Sequence, residues 1–243
     1  MLNFFDRHLK NIISKKNSQD LNQKIWNISL SRWDDLNKIS FPKYTFGFQS
    51  DGLANVDIND GSMLINEKGI GFVSIVNDPW RPAFLEGGHL GPNPGIFNRK
   101  ELDERFDVAV FQTNPIKKDI QFSGIPTFET YLKCDQESFD ICVAISIIDK
   151  NDNLVKQFCT GFLRVSNNKP NMENYHTLTL QPTNLTIYKG NKIRVSISAA
   201  AWPAIGVNPG YECEIIGPPS INHKITTLNF NLKKTIMKIA PFF

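Results

Sequence analysis

Few side chains in this sequence could carry out nucleophilic or acid–base chemistry, and Ser50 is the first to consider. A serine hydrolase holds its nucleophile on a sharp turn, usually G-x-S-x-G, within reach of a histidine and a carboxylate. That motif does not occur in the sequence. Ser50, in the run Phe48-Gln-Ser-Asp-Gly52, is the nearest candidate, and its neighbours are typical of a turn. We therefore predict that Ser50 shapes a turn and is not a nucleophile.

The four histidines offer one candidate for a functional site. His89 stands in the glycine-rich run Gly87-Gly-His-Leu-Gly91, whereas the others lie in a charged N-terminal segment, a strand pattern and a polar C-terminal stretch. Even for His89, a hydrogen bond to nearby backbone is the more usual explanation. The adjacent carboxylate pairs, Asp34-Asp35 and Asp103-Glu104, do not have the spacing that glycosidases need.

The sequence contains no pattern typical of a metal or cofactor site. Its cysteines, at positions 134, 142, 159 and 213, match no zinc or redox spacing, and no glycine-rich phosphate loop is present. Cys134 and Cys142 lie in strand patterns, where a free thiol behaves as a small hydrophobic group. We predict no catalytic residue, no metal and no cofactor in this chain.

Length, composition and charge are those of an ordinary globular protein. A chain of 243 residues can bury a large core without disulfides or metals. The formal net charge of +3 comes from scattered charges, so a nucleic-acid partner is not expected. The longest apolar run, residues 199–207, is too short to span a membrane. Because the N-terminus lacks the apolar centre of a secretory signal, we expect a cytoplasmic protein.

The stretch from Phe106 to Val165 contains consecutive strand patterns around which the chain is organised. Between Thr127 and Cys134, apolar and polar residues alternate with the period of two that a strand buried on one face requires. Residues 141–148 are almost all apolar, which indicates a central strand buried on both faces. The Asn- and Asp-rich turn at 149–153 reverses the chain, so we predict an antiparallel core.

The remaining segments predict shorter strands around this core. KDIQFSG (118–124) and TFETYLKC (127–134) are predicted as two separate strands. Residues 77–95 form a long loop with four prolines and four glycines, and a loop of that length is usually functional or pinned against another surface. Residues 100–105 are expected to form a helical turn. Further strands are expected near residues 23–33, 41–52, 71–76, 176–180 and 192–199, with a last hairpin or edge strand at 225–239.

Many short strands separated by turns predict a mainly β fold, namely a two-sheet jelly-roll sandwich of galactose-binding-like type with a short N-terminal helical segment. The sandwich is assigned to residues 41–243. Residues 1–40 are assigned to an N-terminal helix and linker, in which Leu2, Phe5 and Leu9 recur at helical spacing. This helix either docks on the body of the protein or lies on a membrane surface. Docking is preferred because the lysines of the helix form no basic cluster.

Several motifs stand in an order that resembles a known hydrolase family. They are Phe4-Phe-Asp-Arg-His-Leu-Lys10, Trp26 and Trp33, Asp78-Pro-Trp-Arg-Pro82 with Gly87-Gly88, Asp103-Glu-Arg-Phe-Asp-Val108 with Thr113, Pro115, Asp119 and Gly124, Lys189–Ser198, Trp202-Pro203 and Asn208-Pro-Gly210. Over this part of the chain, the sequence resembles the C-terminal region of the cocaine-esterase/X-Pro dipeptidyl-peptidase family of α/β-hydrolases. Each motif is loose, but their shared order is fairly specific.

This resemblance implies a jelly roll that packs against a hydrolase domain and helps to shape the substrate entrance. It implies that residues 1–40 resemble the end of an α/β-hydrolase domain. The family's Ser–Asp–His triad precedes the region that this chain resembles, so none of its members can be assigned here. Ala83-Phe-Leu85 and His89-Leu-Gly91 depart from the family pattern. The candidates for the interface or the substrate entrance are Asp78, Trp80, Arg81, His89 and Arg105.

Three interpretations of the function remain open. In the first, the chain is a non-catalytic half that supports hydrolysis of an acyl or Xaa-Pro peptide bond by a partner α/β-hydrolase polypeptide, or it forms a homo-oligomer. In the second, it is a stand-alone carbohydrate- or protein-binding jelly roll, with Trp80, Trp202 and Tyr211 as stacking surfaces. In the third, it is a truncated relic without function. In every case we expect the isolated chain to be inert towards ester and Ala-Pro substrates.

Overall fold

A computed structural model of the chain describes residues 9–10, 24–39, 43–88, 91, 93–212 and 219–242. The predicted N-terminal helix lies outside these residues, apart from Leu9 and Lys10. In the described part of the chain, no helix is long and apolar enough to cross a membrane.

Single 3-10 turns lie at Leu36–Lys38 and Leu102–Glu104, the second of which confirms the predicted helical turn. The described strands are β1 Lys24–Asn27, β2 Arg32–Asp35, β3 Thr45–Gly52, β4 Ser62–Ile65, β5 Ile70–Asn77, β6 Phe97–Asn98, β7 Val108–Gln112, β8 Ile120–Cys134, β9 Phe139–Ile148, β10 Val155–Val165, β11 Glu173–Thr179, β12 Thr183–Ile187, β13 Lys192–Ser198 and β14 Thr226–Ala240.

Hydrogen bonds join twelve of these strands into one sheet that folds over on itself. One half contains β3, β4, β5, β8, β11, β12 and β14, and the other contains β6, β7, β9, β10 and β13. Within the described residues, the halves are linked through the parallel pairing of Ser62 in β4 with Gln112 in β7. β1 and β2 form a separate hairpin, which pairs Trp26 with Trp33.

The core lies between the two halves and is rich in aromatic rings. Phe48 of β3 packs edge-to-face on Phe111 of β7, with ring centroids 5.2 Å apart. Phe122 of β8 meets Phe158 of β10 in the same way at 5.5 Å. Such edge-to-face pairs add to the free energy gained by burying the rings. Because the rings of one half meet those of the other, the predicted mainly β sandwich is confirmed.

Strand β9 is covered on both faces, as the apolar run 141–148 predicts. It pairs with β10 on one side and with β13 on the other, and all of its residues from 139 to 146 are buried. Ile141 and Ile145 point into the core. Cys142 points to the opposite face, where it packs with Leu85 and Ala201 from two loops. Those loops, and not a second sheet, cover the outer face of this half.

The prediction of two strands at 118–124 and 127–134 is wrong, because β8 runs unbroken from Ile120 to Cys134. Gly124 takes a positive φ of 139°, and a Cβ at this position would lie 2.2 Å from the carbonyl oxygen of Ala240. Pro126 cannot donate a ladder hydrogen bond, but its carbonyl accepts one from the Leu180 amide at 2.9 Å. β8 therefore continues through both residues, and its partner changes from β12 to β11 along its length.

The prediction of a last hairpin or edge strand at 225–239 is also wrong. β14 is a single strand of 15 residues in the interior of its half, paired with β8 on one side and with β5 and β3 on the other. A bulge between Asn231 and Ile236 interrupts the register with β8. Alternation shows which face of a strand is buried, but it carries no information on how many neighbours the strand has.

The structure differs from the sequence prediction in other strands and in the direction of two pairings. The segment at 23–33 is one arm and the turn of the β1–β2 hairpin. β4 and β12 lie in segments for which no strand is predicted. The core is mixed, because β3 pairs with β5 and β4 with β7 in parallel, while the other pairings are antiparallel. A parallel pairing needs a crossover between its strands, and local patterns do not reveal it.

Replacing Phe48 by alanine tests the placement of the core. Its ring is fully buried between those of Phe111 and Phe128, so Phe48→Ala should lower the free energy of unfolding by about 3–5 kcal/mol. Phe106→Ala is the matched control, because that ring is 74% exposed and its loss should cost less than about 0.5 kcal/mol. Urea denaturation followed by tryptophan fluorescence measures both. Equal effects would contradict this core, and the absence of any cooperative transition would favour a non-functional relic.

The pH dependence of stability should report on His176 in β11. Its imidazole packs edge-to-face on Phe139, with centroids 5.4 Å apart, and its Nε2 has no hydrogen-bond partner among the described residues. Burial lowers the pKa of His176, so the folded protein favours the neutral ring and the unfolded chain takes up the proton first. This contribution is present above about pH 6.5 and is lost as pH falls through the pKa of the folded state.

The measurement compares melting temperatures of the unsubstituted chain and of His176→Phe. Between about pH 7.5 and about pH 5.5, we expect the melting temperature of the unsubstituted chain to fall more steeply than that of the variant. Identical slopes would show that His176 does not titrate differently on folding.

Candidate functional site

Ser50 lies in β3 and not in the turn that was predicted for it, but its hydroxyl holds the turn that follows the strand. It donates a hydrogen bond to the Asp60 carboxylate and accepts bonds from the backbone amides of Gly52 at 2.9 Å and Ala54 at 3.3 Å. The residue is only 1% exposed. These contacts hold the chain reversal after β3, and no imidazole takes part in them. The hydroxyl is therefore placed to stabilise backbone and not to attack a substrate.

The described thiols are buried and unreactive. Desolvation raises the pKa of Cys134 and of Cys159 to about 12, and it raises the pKa of Cys142 well above the ordinary value. A thiol becomes a nucleophile or a metal ligand as the thiolate, which these environments disfavour. Among the described residues, no group of histidine, cysteine and acidic side chains is arranged to hold a metal ion.

The loop that follows β5 presents large apolar side chains to solvent, and we call residues 78–88 the docking loop. Trp80 is 57% exposed and Phe84 is 50% exposed. Beyond the docking loop, Ile96 is 60% exposed and Phe106 is 74% exposed. Single exposed apolar residues are normal on a surface, so we treat these four side chains as a candidate contact surface because they come from one stretch of the chain.

Asp78 starts the docking loop with a turn. Its Oδ1 accepts a hydrogen bond from the Trp80 amide at 2.9 Å, and its backbone carbonyl accepts one from the Arg81 amide at 3.0 Å. Aspartate favours such turns because its short side chain reaches the backbone two residues further on. The turn directs the Trp80 side chain outward.

Arg105 ties the docking loop to the segment before β7. Its guanidinium donates to the Arg81 carbonyl at 2.6 Å and binds the Asp107 carboxylate through two hydrogen bonds of 2.7 and 2.6 Å. The hydrogen bonds to Asp107 raise the pKa of Arg105, although its partial burial acts in the opposite direction. A planar guanidinium can hold the carboxylate and the carbonyl at once, and a lysine ammonium cannot reproduce this geometry.

The middle of the docking loop is fixed by backbone pairing. The Leu85 amide donates to the Trp202 carbonyl at 2.8 Å, and the Trp202 amide donates to the Ala83 carbonyl at 2.9 Å. Ala83 and Leu85 are buried, while Phe84 between them points to solvent. The Ala83-Phe-Leu85 run, which departs from the family pattern, thus behaves as a short strand with Phe84 on its outer face.

Beneath the docking loop lies a buried polar group that we call the Asp103 cluster, made of Arg99, Asp103, Gln112, Gln157 and Arg194. Asp103 accepts hydrogen bonds from Arg99 Nε at 3.0 Å and from Arg194 Nη1 at 3.2 Å. The side chains of the three charged residues are 0–7% exposed. Arg99 Nη1 donates to Gln157 Oε1 at 2.7 Å, and Arg194 Nη2 donates to Gln112 Oε1 at 3.1 Å.

The Asp103 cluster reaches the docking loop directly. Gln157 Nε2 donates to the backbone carbonyl of Glu86 at 2.8 Å. The loop is therefore held at three points along its length, namely by Arg105 at Arg81, by Trp202 at Ala83 and Leu85, and by the cluster at Glu86.

A cleft of about 410 Å³ lies beside the docking loop. Trp26 and Ile28 of the hairpin line one side, and Gly88, Gly95 and Ile96 line the other. The hairpin rests on β12, where the Ile28 amide donates to the Asn184 carbonyl at 2.9 Å. Trp26 therefore lies next to the end of the docking loop, and Trp33 packs edge-on against it with ring centroids 5.5 Å apart.

Four of the five residues singled out from the sequence come together here. Asp78, Trp80 and Arg81 form the first turn of the docking loop, and Arg105 is bonded to it. His89 lies outside the described residues. Sequence reasoning missed three exposed apolar side chains and the Asp103 cluster. The missed apolar side chains are Phe84, Ile96 and Phe106. The sequence signals that could have found these features were the position of Phe106 inside the Asp103–Val108 motif and the spacing of four residues between Arg99 and Asp103.

Comparison with known proteins identifies the family. The chain matches the model of the X-Pro dipeptidyl-peptidase C-terminal non-catalytic domain over residues 35–231. It therefore belongs to this family, which confirms the resemblance found in the sequence. The chain is a non-catalytic domain of a hydrolase family. No functionally curated protein matches the sequence significantly.

The fold is similar to that of solved hydrolases. An aminopeptidase from the marine sediment archaeon Thaumarchaeota archaeon aligns over 99% of this chain, with a TM-score of 0.76 and 15% identity. An α-amino acid ester hydrolase aligns over 98% of this chain, with a TM-score of 0.73 and 16% identity. A CocE/NonD family hydrolase from Staphylococcus aureus also aligns over 98% of this chain, with a TM-score of 0.58 and 12% identity. This chain spans 43–44% of the length of each. At such identities the likeness defines the fold and not the activity.

The role of Arg105 can be tested by hydrogen exchange. Arg105→Lys removes the planar guanidinium, which holds the Arg81 carbonyl and the Asp107 carboxylate. Because hydrogen bonds to charged groups contribute about 1.5–3 kcal/mol, the backbone amides of residues 79–88 should exchange about tenfold faster in the variant. Arg32→Lys is the control, because its ion pair with Asp34 lies on the hairpin and the Arg32 side chain is 65% exposed. Mass spectrometry of peptides after deuterium labelling measures both. Unchanged exchange in the Arg105 variant would show that the docking loop does not depend on this residue.

Proposed function

We propose that this chain is the accessory domain of a serine hydrolase and that it packs against an α/β-hydrolase catalytic domain which cleaves acyl-ester or Xaa-Pro peptide bonds. The observation that carries the proposal is the docking loop, which is held rigidly by the fold and yet exposes Trp80 and Phe84. The family description and the ester hydrolase and aminopeptidase among its structural neighbours support this class of reaction.

The exposed side chains supply the free energy for docking. Half or more of the surface of Trp80, Phe84 and Phe106 is exposed to water. Covering the exposed part of each ring would contribute about 2 kcal/mol to the free energy of binding. Tryptophan and arginine are the residues that most often dominate the energetics of interfaces. Arg81, which is exposed beside Trp80, would then lie at the rim, where charge selects the partner more than it adds affinity.

The rigidity of the docking loop matters as much as its composition. A loop that must be ordered on binding loses conformational entropy, which weakens the complex. Here the three attachments through Arg105, Trp202 and Gln157 order the loop before a partner arrives. A pre-ordered loop can also define one wall of a substrate entrance, and this is the role that we propose for Asp78, Trp80, Arg81, His89 and Arg105.

The arrangement of the whole assembly follows from the same proposal. Residues 1–40 would be the end of the hydrolase domain and the linker, and residues 41–243 the jelly roll. The catalytic domain would be a separate α/β-hydrolase polypeptide, or copies of this chain would associate with each other. We propose a cytoplasmic location, which is supported by the absence of disulfides among the three described cysteines.

Reconstitution tests the proposal. The chain is mixed with a separately produced α/β-hydrolase catalytic domain of the same family, binding is measured by calorimetry, and hydrolysis is followed with p-nitrophenyl acetate and Ala-Pro-p-nitroanilide. We expect no turnover by this chain alone, a stable complex on mixing, and a higher rate for the complex than for the hydrolase domain alone. Trp80→Ala and Phe106→Ala should each weaken binding about tenfold or more.

Phe72→Ala is the matched control for these variants. Phe72 is 58% exposed, like Trp80, but it lies on β5 in the other half of the sandwich. We expect its replacement to leave affinity unchanged. Equal affinities for all variants would place the interface elsewhere, and separate elution of the two domains without a gain in activity would overturn the proposal.

No observation favours the alternative of a carbohydrate-binding module over this one. Trp80 is exposed, but Trp202 and Tyr211 are half-buried, and the Tyr211 ring packs on His223 with centroids 6.5 Å apart. Two of the three proposed stacking surfaces are therefore partly covered by the protein itself.

A further inference from the structure

Strand β4 has one edge that is almost without a partner strand. On one side, all four of its residues pair with β3. On the other side, β4 meets β7 at a single position, where Ser62 pairs with Gln112. Within the described residues, the rest of this edge is therefore open.

A groove opens along this edge because the chain turns away after β7. The amides of Thr113 and Ile116 donate to the carbonyls of Ile193 and Asn191, at 2.9 and 2.8 Å, and so join the other half of the sandwich. The space between β4 and residues 113–118 has a volume of about 480 Å³, and we call it the β4 groove. Clefts that bind ligands usually measure about 300–1,000 Å³.

Backbone groups of β4 point into the β4 groove. The Asn66 amide donates to the Thr45 carbonyl of β3 at 2.7 Å, and the Gln112 amide of β7 donates to the Gly61 carbonyl at 3.1 Å. Because the direction of backbone groups alternates along a strand, even-numbered residues bond to β3 and odd-numbered residues face the opposite side. The amide and carbonyl of Ile65 therefore face the groove, and no described residue bonds to them. An edge of this kind is a template for another strand.

The floor of the β4 groove is apolar. It is continuous with the core of the sandwich, and its members are Tyr44, Met63, Ile65, Ile116 and Ile120. A strand that adds to β4 could place alternate side chains on this floor, because successive side chains of a strand point to opposite faces.

The rim of the β4 groove is basic. Lys117 and Lys118 lie on it and are exposed, and neither forms an ion pair with another described residue. Glu67 is the one carboxylate among the described lining residues. The residues next to the lining in sequence add two exposed lysines and one exposed carboxylate, namely Lys43, Lys68 and Asp119. Positive charges therefore outnumber negative charges around the groove.

We propose that the β4 groove binds an extended acidic peptide segment of a partner protein, which adds to β4 as a further strand. Main-chain hydrogen bonds to Ile65 and apolar contacts with the floor hold such a segment, and its carboxylates meet Lys117 and Lys118. A helix does not fit this edge, because its backbone groups bond to each other. A second copy of this chain does not fit either, because pairing two β4 edges would bring like-charged lysines together. None of the lining residues belongs to the docking loop, so this site is independent of the proposed contact with a hydrolase domain.

Fluorescence anisotropy of labelled peptides on the full chain tests the proposal. The peptide EVTVTVE should bind saturably and more weakly as salt is added, and the basic counterpart KVTVTVK should bind at least about tenfold more weakly. EVTVTVE with N-methylated valines cannot donate the hydrogen bonds of a strand from these positions. We expect it to lose at least about tenfold in affinity, whereas equal affinity would exclude strand addition.

Three variants locate the site. Ile65→Pro removes an amide that faces the groove and leaves the bonds to β3, so binding of EVTVTVE should be lost while the chain still folds. Replacing Lys117 and Lys118 together by glutamate should weaken binding at least about tenfold. Lys233→Glu is the matched control, because Lys233 is an exposed lysine of β14 outside the groove, and affinity should be unchanged.

Two outcomes would overturn the proposal. The first is no binding of EVTVTVE by the unsubstituted chain, in which case the lysines only protect the edge from pairing. The second is a dimer, seen in sedimentation of the chain alone, that Ile65→Pro dissociates, because the partner at this edge would then be a second copy.

Discussion

Asp103 accepts hydrogen bonds from two buried arginines that reach it from different parts of the chain. Arg99 comes from four residues earlier in the same segment, and Arg194 comes from β13 in the middle of one half of the sandwich. Losing the carboxylate would leave two buried guanidinium groups without compensation, which is among the most destabilising changes a protein interior can undergo. The position of the segment after β6 is therefore fixed by electrostatics as well as by packing. Through Gln157 and the Glu86 carbonyl, the same constraint extends to the docking loop.

This arrangement explains how the described part of the chain, a non-catalytic domain of a hydrolase family, holds one surface in a defined position. The outer face of β9 and β13 is covered by loops, and the charge cluster holds those loops in one conformation. Phe84 points outward because its neighbours Ala83 and Leu85 are buried. The turn at Asp78 and the hydrogen bond from the Arg105 guanidinium to the Arg81 carbonyl fix the position of Trp80. The chain thus exposes an aromatic surface in a defined position. We propose that contact of this surface with a catalytic domain is its contribution to hydrolysis.

The sequence predicted best what depends on local pattern. The alternation at 127–134 and the apolar run at 141–148 specified strands buried on one and on two faces, because the period of a strand is written in adjacent residues. The length of β8 and the interior place of β14 depend on which strands pair across the sheet, and spacing does not show this. At the candidate site, the turn residues were found through the family resemblance. The Arg99–Asp103 pair was missed because a spacing of four is equally typical of a solvent-exposed ion pair, and the contribution of Arg194 is visible only in three dimensions.

The central claim is that this domain contributes a surface and not a nucleophile. Treatment with a fluorophosphonate probe followed by intact-protein mass spectrometry tests it most directly, because the probe modifies only serines that are activated by a neighbouring base. The account predicts no added mass on this chain, either alone or in complex with the α/β-hydrolase domain, and one adduct on the hydrolase domain. Stoichiometric labelling of a serine in this chain would contradict it.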